Sequence, residues 1–117
     1  MLIYGGVIME SYTQIYKSVL EKLKNNKINS IDKNGVKVNQ LTIFEEIILR
    51  NINNLDTTAL EIVGNGTKLT YKEFFAEVEK YMNSYKNLGL KEHDVVSLCL
   101  PVSIEFICSY YAINIII

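Results

Sequence analysis

Leu69-Thr70-Tyr71-Lys72-Glu73-Phe74 and, further along, Asp94-Val95-Val96-Ser97-Leu98-Cys99-Leu100-Pro101 are the passages on which the fold turns. In the first, Thr70 stands three residues before Glu73. A hydroxyl at the N-cap and a carboxylate at N3 satisfy each other's free backbone N–H groups, so the pair predicts a helix start. Phe74, Phe75, Val78, Tyr81, Met82 and Tyr85 then recur at helical spacing and predict its core-facing stripe. Gly89 follows Leu88, where a left-handed residue ends a helix. In the second passage, Val95 to Leu100 is nearly continuously apolar, as a strand covered on both faces of a parallel sheet would be. Pro101 ends it. Ser103 caps a last helix over Ile104 to Asn114, and Glu105 suits that helix's positive N-terminus. The local reading from Leu69 to Asn114 is therefore helix, buried strand, helix.

Upstream of this unit, Ala59 to Val63 and Lys68 to Thr70 flank Gly64-Asn65-Gly66, which predicts a β-hairpin. Before it, Thr42 and Glu45 form another capping box, opening a helix to Asn53 whose apolar face is Ile43, Phe44, Ile47, Ile48 and Ile52. Ile28 to Gln40 is polar and holds the turn signal Asn34-Gly35, so it reads either as short strands around Ile31 and Val36 to Val38 or as a linker. Glu10 to Lys27 has Tyr12, Ile15, Tyr16, Val19, Leu20 and Leu23 at helical spacing, with Lys17, Glu21, Lys22 and Lys24 off that stripe. Docking on the chain's own core is the expected use of this amphipathic helix, with partner binding the alternative. Met1 to Met9 is short and apolar, without the basic opening of a secretory leader and too short to span a bilayer. A start of translation at Met9 is favoured there over a functional strand.

The totals narrow the function. With 117 residues, one domain or part of one is expected. A formal net charge of −1 gives no footprint for nucleic acid or an anionic membrane. Cys99 and Cys108, in apolar segments, are expected to pack as small hydrophobes in a reducing cytoplasm. One His and two separated Cys do not make a zinc site. His93 has no nucleophile or metal partner at catalytic spacing and reads as a solvated turn residue. Gly64-Asn65-Gly66-Thr67-Lys68 is not a phosphate loop, because such a loop leads from a buried strand directly into a helix, and this turn leads into a strand.

From Thr42 to Asn114 the order of segments resembles the N-terminal portion of the adenylate-forming (AMP-binding) superfamily, which holds acyl-CoA synthetases, peptide-synthetase adenylation domains and luciferases. The matching pieces are the helix Thr42 to Asn53, the alanine-led strand Thr58 to Val63, and the helix start Thr70-Tyr71-Lys72-Glu73-Phe74. They continue with the helix end Leu88-Gly89 and the Asp-Val-Val to Leu-Pro-x-Ser-x-Glu-Phe run from Asp94 to Phe106. Val102 departs from the usual Asn, Phe74 from the usual Leu, and Ile115-Ile116-Ile117 from the family's Gly-Ala turn.

The resemblance implies an α/β fold, incomplete here, in which helices, a short β-hairpin and a buried strand–helix unit form the N-terminal part of the large domain. Residues 1–40 are expected to be an N-terminal helix and polar linker, and 41–117 a truncated N-terminal part of a synthetase domain. The apolar end at Ile115 to Ile117 fits a fold that continues, as after a truncation or frameshift. The implied activity of the parent is AMP-forming acid–thiol ligation, in which ATP and a carboxylate give an acyl-adenylate that passes to CoA or a carrier-protein thiol, with Mg²⁺ offsetting phosphate charge. The family's phosphate loop, acidic nucleotide motifs and catalytic Lys match no residue here, so no catalytic, cofactor-binding or metal residue is assigned. The chain alone is expected to be inactive and to need no cofactor. The alternatives are a small non-enzymatic α/β interaction module and an inert remnant.

Overall fold

The computed structural model describes residues 2–4, 7–9, 13–24, 29–31, 34–35, 37–39 and 41–117. The order is β1 (Leu2–Tyr4), β2 (Val7–Met9), α1 (Thr13–Lys24), β3 (Asn29–Ile31), β4 (Lys37–Asn39), α2 (Ile43–Asn51), β5 (Thr58–Ile62), β6 (Thr67–Thr70), α3 (Tyr71–Asn87) and α4 (Ile104–Ile116). Among the described residues, each strand pairs antiparallel with its neighbour in sequence, giving three separate two-stranded sheets. The architecture is mixed α/β, with α2, α3 and α4 around one core and α1 against it. No helix among the described residues is long and apolar enough to cross a membrane.

The expected starts of α2, α3 and α4 are present. Thr42 Oγ1 accepts the Glu45 N–H at 3.2 Å, and Glu45 Oε1 accepts the Thr42 N–H at 3.0 Å. Thr70 and Glu73 repeat this at 3.2 and 2.9 Å. Ser103 Oγ accepts the Phe106 N–H at 3.2 Å. At the C-terminus of α3, Gly89 takes φ 99°, which a residue without Cβ adopts readily. Its N–H donates to Lys86 O at 3.0 Å and that of Leu90 to Tyr85 O at 3.1 Å, closing a Schellman cap. The β5–β6 hairpin turns at Gly64 and Gly66, and β3–β4 turns around Asn34-Gly35.

Phe44 and Ile48 of α2, Phe74, Phe75, Val78 and Met82 of α3, and Cys108 and Ala112 of α4 form the core, joined by Ile15 of α1. Burying each of the larger side chains contributes about 1.5–3 kcal/mol. Several aromatic contacts are edge-on, as ring quadrupoles favour: Phe44–Phe74 at 5.4 Å and 82°, and Phe74–Tyr111 at 5.9 Å and 75°. The Tyr85 hydroxyl and Ser109 Oγ, 2.8 Å apart, satisfy each other between α3 and α4.

Three expectations need correction. Residues 94–102 contain no strand, and Val95, Cys99 and Leu100 are exposed. A parallel strand needs neighbours to take its backbone N–H and C=O groups. Among the described residues every strand is already paired within its own hairpin, so the run is left open to solvent. Cys99 therefore does not pack as a small hydrophobe, whereas Cys108 does. In α1 only Ile15 and Val19 of the expected stripe are buried, while Leu20 and Leu23 are exposed. Residues 10–12 and 25–27 of the helix expected there lie outside the described residues. Ahead of α1, β1 and β2 pair antiparallel, Leu2 with Met9 and Tyr4 with Val7.

Candidate functional site

An apolar cavity of about 410 Å³ lies between the β5–β6 hairpin and the helices. Leu60 supplies its hairpin wall, Tyr71 and Phe74 come from α3, and Phe106, Tyr110 and Tyr111 come from α4. This composition follows from helix geometry, since Phe106 and Tyr110 lie one turn apart on one face of α4. Asn51 is its polar amide. Its Nδ2 is committed to the Ile47 carbonyl at 2.9 Å, and its Oδ1 lies 3.4 Å from Asn54 Nδ2. No Asp, Glu, Lys or Arg lines the cavity. It accepts apolar matter and offers nothing to balance a charged ligand.

The nucleophiles and bases of the chain lie elsewhere and apart. His93 projects into solvent, 87% exposed, with Nε2 3.6 Å from the Glu92 carboxylate. Burial pushes the Cys108 thiol up to about 12, so it is not a thiolate at neutral pH. No group of three His, Cys, Asp or Glu that could hold a metal ion occurs among the described residues.

Two buried carboxylates were not visible as a pair in the sequence. Glu45, 3% exposed, completes the α2 capping box and also takes Lys22 Nζ of α1 at 2.8 Å. Glu79, 1% exposed, accepts the Ile15 N–H of α1 at 2.9 Å. Desolvation pushes the Glu79 carboxyl up to about 7, against the Ile15 and Gln14 N–H groups and Lys86, which favour the charged form. The capping pattern announces Glu45 only as a cap, and Glu79 sits between Val78 and Lys80 with no local signal. Both find partners on an element far away in sequence.

Residues 50–116 match the family described as AMP-binding enzyme. The chain belongs to that family. The match covers α3, α4 and the β5–β6 hairpin, the later part of the order of elements that carries the resemblance in the sequence; α2 lies almost wholly before it. Acetyl-coenzyme A synthetase of Cupriavidus pinatubonensis (strain JMP 134 / LMG 1197) is 28% identical over 112 residues, 93% of this chain and 15% of that protein. Acetyl-coenzyme A synthetase of Rubrobacter xylanophilus (strain DSM 9941 / JCM 11954 / NBRC 16129 / PRD-1) is 49% identical over 39 residues, 33% of this chain and 6% of that protein. The chain thus spans about 15% of the length of the first of these relatives. No solved structure matches.

AMP-binding enzymes generally use ATP and Mg²⁺, and the start of α3 does not fit a phosphate. A phosphate is received by free N–H groups at a helix N-terminus. In α3 those groups are taken: Tyr71 N–H by Thr57 O and Lys72 N–H by Leu55 O, both at 3.0 Å, and Glu73 N–H by Thr70 Oγ1. At the glycine turn, Gly66 N–H is held by Ile62 O and Thr67 N–H by Asn65 Oδ1. Lys68 lies across the hairpin from Glu61, 4.0 Å away. The start of α3 is thus closed around its own backbone donors, and the glycine turn has its Gly66 and Thr67 N–H groups committed.

Proposed function

We infer that this chain is the scaffold portion of an AMP-forming acid–thiol ligase, carrying no catalytic residue and inactive alone. The parent reaction joins a carboxylate to ATP as an acyl-adenylate, with pyrophosphate leaving. A thiol then displaces AMP. The match to the AMP-binding family over residues 50–116 carries this reading. The acetyl-coenzyme A synthetase relatives favour a short carboxylic acid as substrate and CoA over a carrier protein as acceptor. The closed α3 N-terminus, the occupied glycine turn and the uncharged cavity support a supporting role rather than nucleotide handling.

A chimera tests it. This chain replaces the matching 112-residue stretch in the C. pinatubonensis synthetase. The scaffold reading expects CoA-dependent acetyl transfer to persist in the chimera, and the chain alone to give no carboxylate-dependent exchange of pyrophosphate into ATP. Exchange by the chain alone would overturn the scaffold assignment. A folded but inactive chimera would overturn the ligase assignment and favour the second reading, a non-enzymatic α/β interaction module, which the exposure of Val95, Leu100 and Tyr110 favours.

A further inference from the structure

Helix α1 is fastened from outside at both ends. Near its start, the Ile15 N–H reaches Oε1 of Glu79 on α3, 64 residues away in sequence, at 2.9 Å. Near its end, Lys22 reaches Oε1 of Glu45 on α2 at 2.8 Å. The two fastenings differ in kind. Glu45 has a cation opposite it and the Thr42 N–H on the same oxygen. Among the described residues Glu79 has only N–H donors, and its Oε2, fully enclosed, meets no hydrogen-bond partner there.

A helix N-terminus attracts a negative charge, by up to about 2 kcal/mol in a partly buried setting. Enclosing a carboxylate with one oxygen unsatisfied opposes this and costs more. A neutral carboxylic acid suits the same place, because its carbonyl oxygen keeps the Ile15 N–H while no net charge is enclosed. We propose that Glu79 is a proton-operated latch for α1, which docks against α3 when Glu79 is protonated and is loosened when Glu79 ionises.

The surrounding charges leave Glu79 as the group that responds. On α3 itself Lys86 favours the anion, and desolvation outweighs it. Of the α1 charges, Lys22 is committed to Glu45, and Lys17, Glu21 and Lys24 are exposed. On α2, Glu46 pairs with Arg50 at 2.9 Å. The single charged residue of α4, Glu105, is exposed in its first turn. A docked Glu79 titrates at about 7, against 4.5 for the ordinary carboxyl. Between those values the docked form holds a proton that the undocked form lacks, so raising the pH favours release.

Amide hydrogen exchange on the full chain between pH 5 and pH 8.5, corrected for intrinsic rates, tests this. The readout is protection over Gln14 to Val19 relative to Phe75 to Met82 of α3. The latch expects that ratio to fall on the order of a hundredfold across the range, since each unit of displaced pKa is worth a factor of ten. Glu79→Gln keeps an oxygen for Ile15 without a charge, so it should hold α1 at its acid-side protection throughout. Glu45→Gln should lower α1 protection by a similar factor at every pH without moving the midpoint. A wild-type ratio that stays flat or rises with pH, or a Glu79→Gln protein that keeps the wild-type slope, overturns the proposal. If Glu79→Gln does not fold, as judged from the α3 amides, direct NMR titration of the Glu79 carboxyl in the wild type decides. A midpoint near 7 supports the latch, and one at or below the ordinary carboxylate range overturns it.

Discussion

The rings of Phe44 and Phe75 meet edge-on, with centroids 5.7 Å apart and planes at 88°. Both side chains are wholly buried, and their contact joins α2 to α3. Truncating Phe44 to Ala should cost about 3–5 kcal/mol, enough to unfold many domains of this size. The milder Phe44→Leu and Phe75→Leu changes give a readable cycle. Urea denaturation of both single variants and the double should return a coupling of about 0.5–1.5 kcal/mol. Strict additivity would mean that the ring geometry contributes nothing beyond buried area.

Gly89 offers a test of backbone conformation alone. A Cβ built at this position meets nothing within 4 Å, but φ is +99°. Gly89→Ala should therefore destabilise by about 1–2 kcal/mol through the backbone and not through a clash. The denaturant slope should be unchanged while the midpoint falls. An unchanged midpoint would show that the α3 terminus relaxes without its left-handed residue.

Global stability should carry two pH dependences of opposite sign. Glu79, raised from 4.5 to about 7, binds a proton in the folded state that the unfolded chain has lost. Its effect is a decline in stability as pH rises from about 4.5 to about 7, on the order of 3 kcal/mol if fully expressed. Glu73 is lowered, chiefly by the Thr70 backbone N–H. Its contribution is present above its ordinary value and is lost as pH falls through the lowered one. Chemical denaturation from pH 3 to 9 should show both limbs. Glu79→Gln should flatten the upper limb only, and Glu73→Gln the lower only.

The two thiols should separate kinetically. Cys99 is exposed and Cys108 is buried with its thiol pushed up to about 12. Iodoacetamide on the native chain should modify Cys99 alone, and Cys108 should follow only in denaturant. Equal rates would show that α4 opens on the timescale of the reaction.

What the sequence revealed and what it hid divide along the reach of the interactions. Thr42 with Glu45, Thr70 with Glu73, Ser103, Gly89 and the turn at Gly64 to Gly66 act over a few residues, and each forms as its spacing requires. Glu79 with Ile15 and Lys22 with Glu45 span 64 and 23 residues, and no local pattern encodes them. Val95 to Leu100 failed for the opposite reason: an apolar run states that a segment can be covered, not that a cover is present. The cavity was half legible. The α3 stripe announced Phe74, but the meeting of Tyr71, Tyr110 and Leu60 depends on how α3, α4 and the hairpin pack.

The hairpin arrangement also governs how the chain acquires its shape. Because β1, β3 and β5 each pair with the very next strand, no sheet requires distant segments to find one another. Each of these hairpins closes over a few residues at little entropic cost, so hairpin formation belongs to the microsecond range. The long-range steps that remain are helix packing: Phe44 of α2 against Tyr111 of α4, and α1 against Glu79 of α3. During synthesis from the N-terminus, α1 emerges well before Glu79 exists, so it can meet α2 through Lys22 and Glu45 first and gains its α3 contact only once α3 has cleared the ribosome.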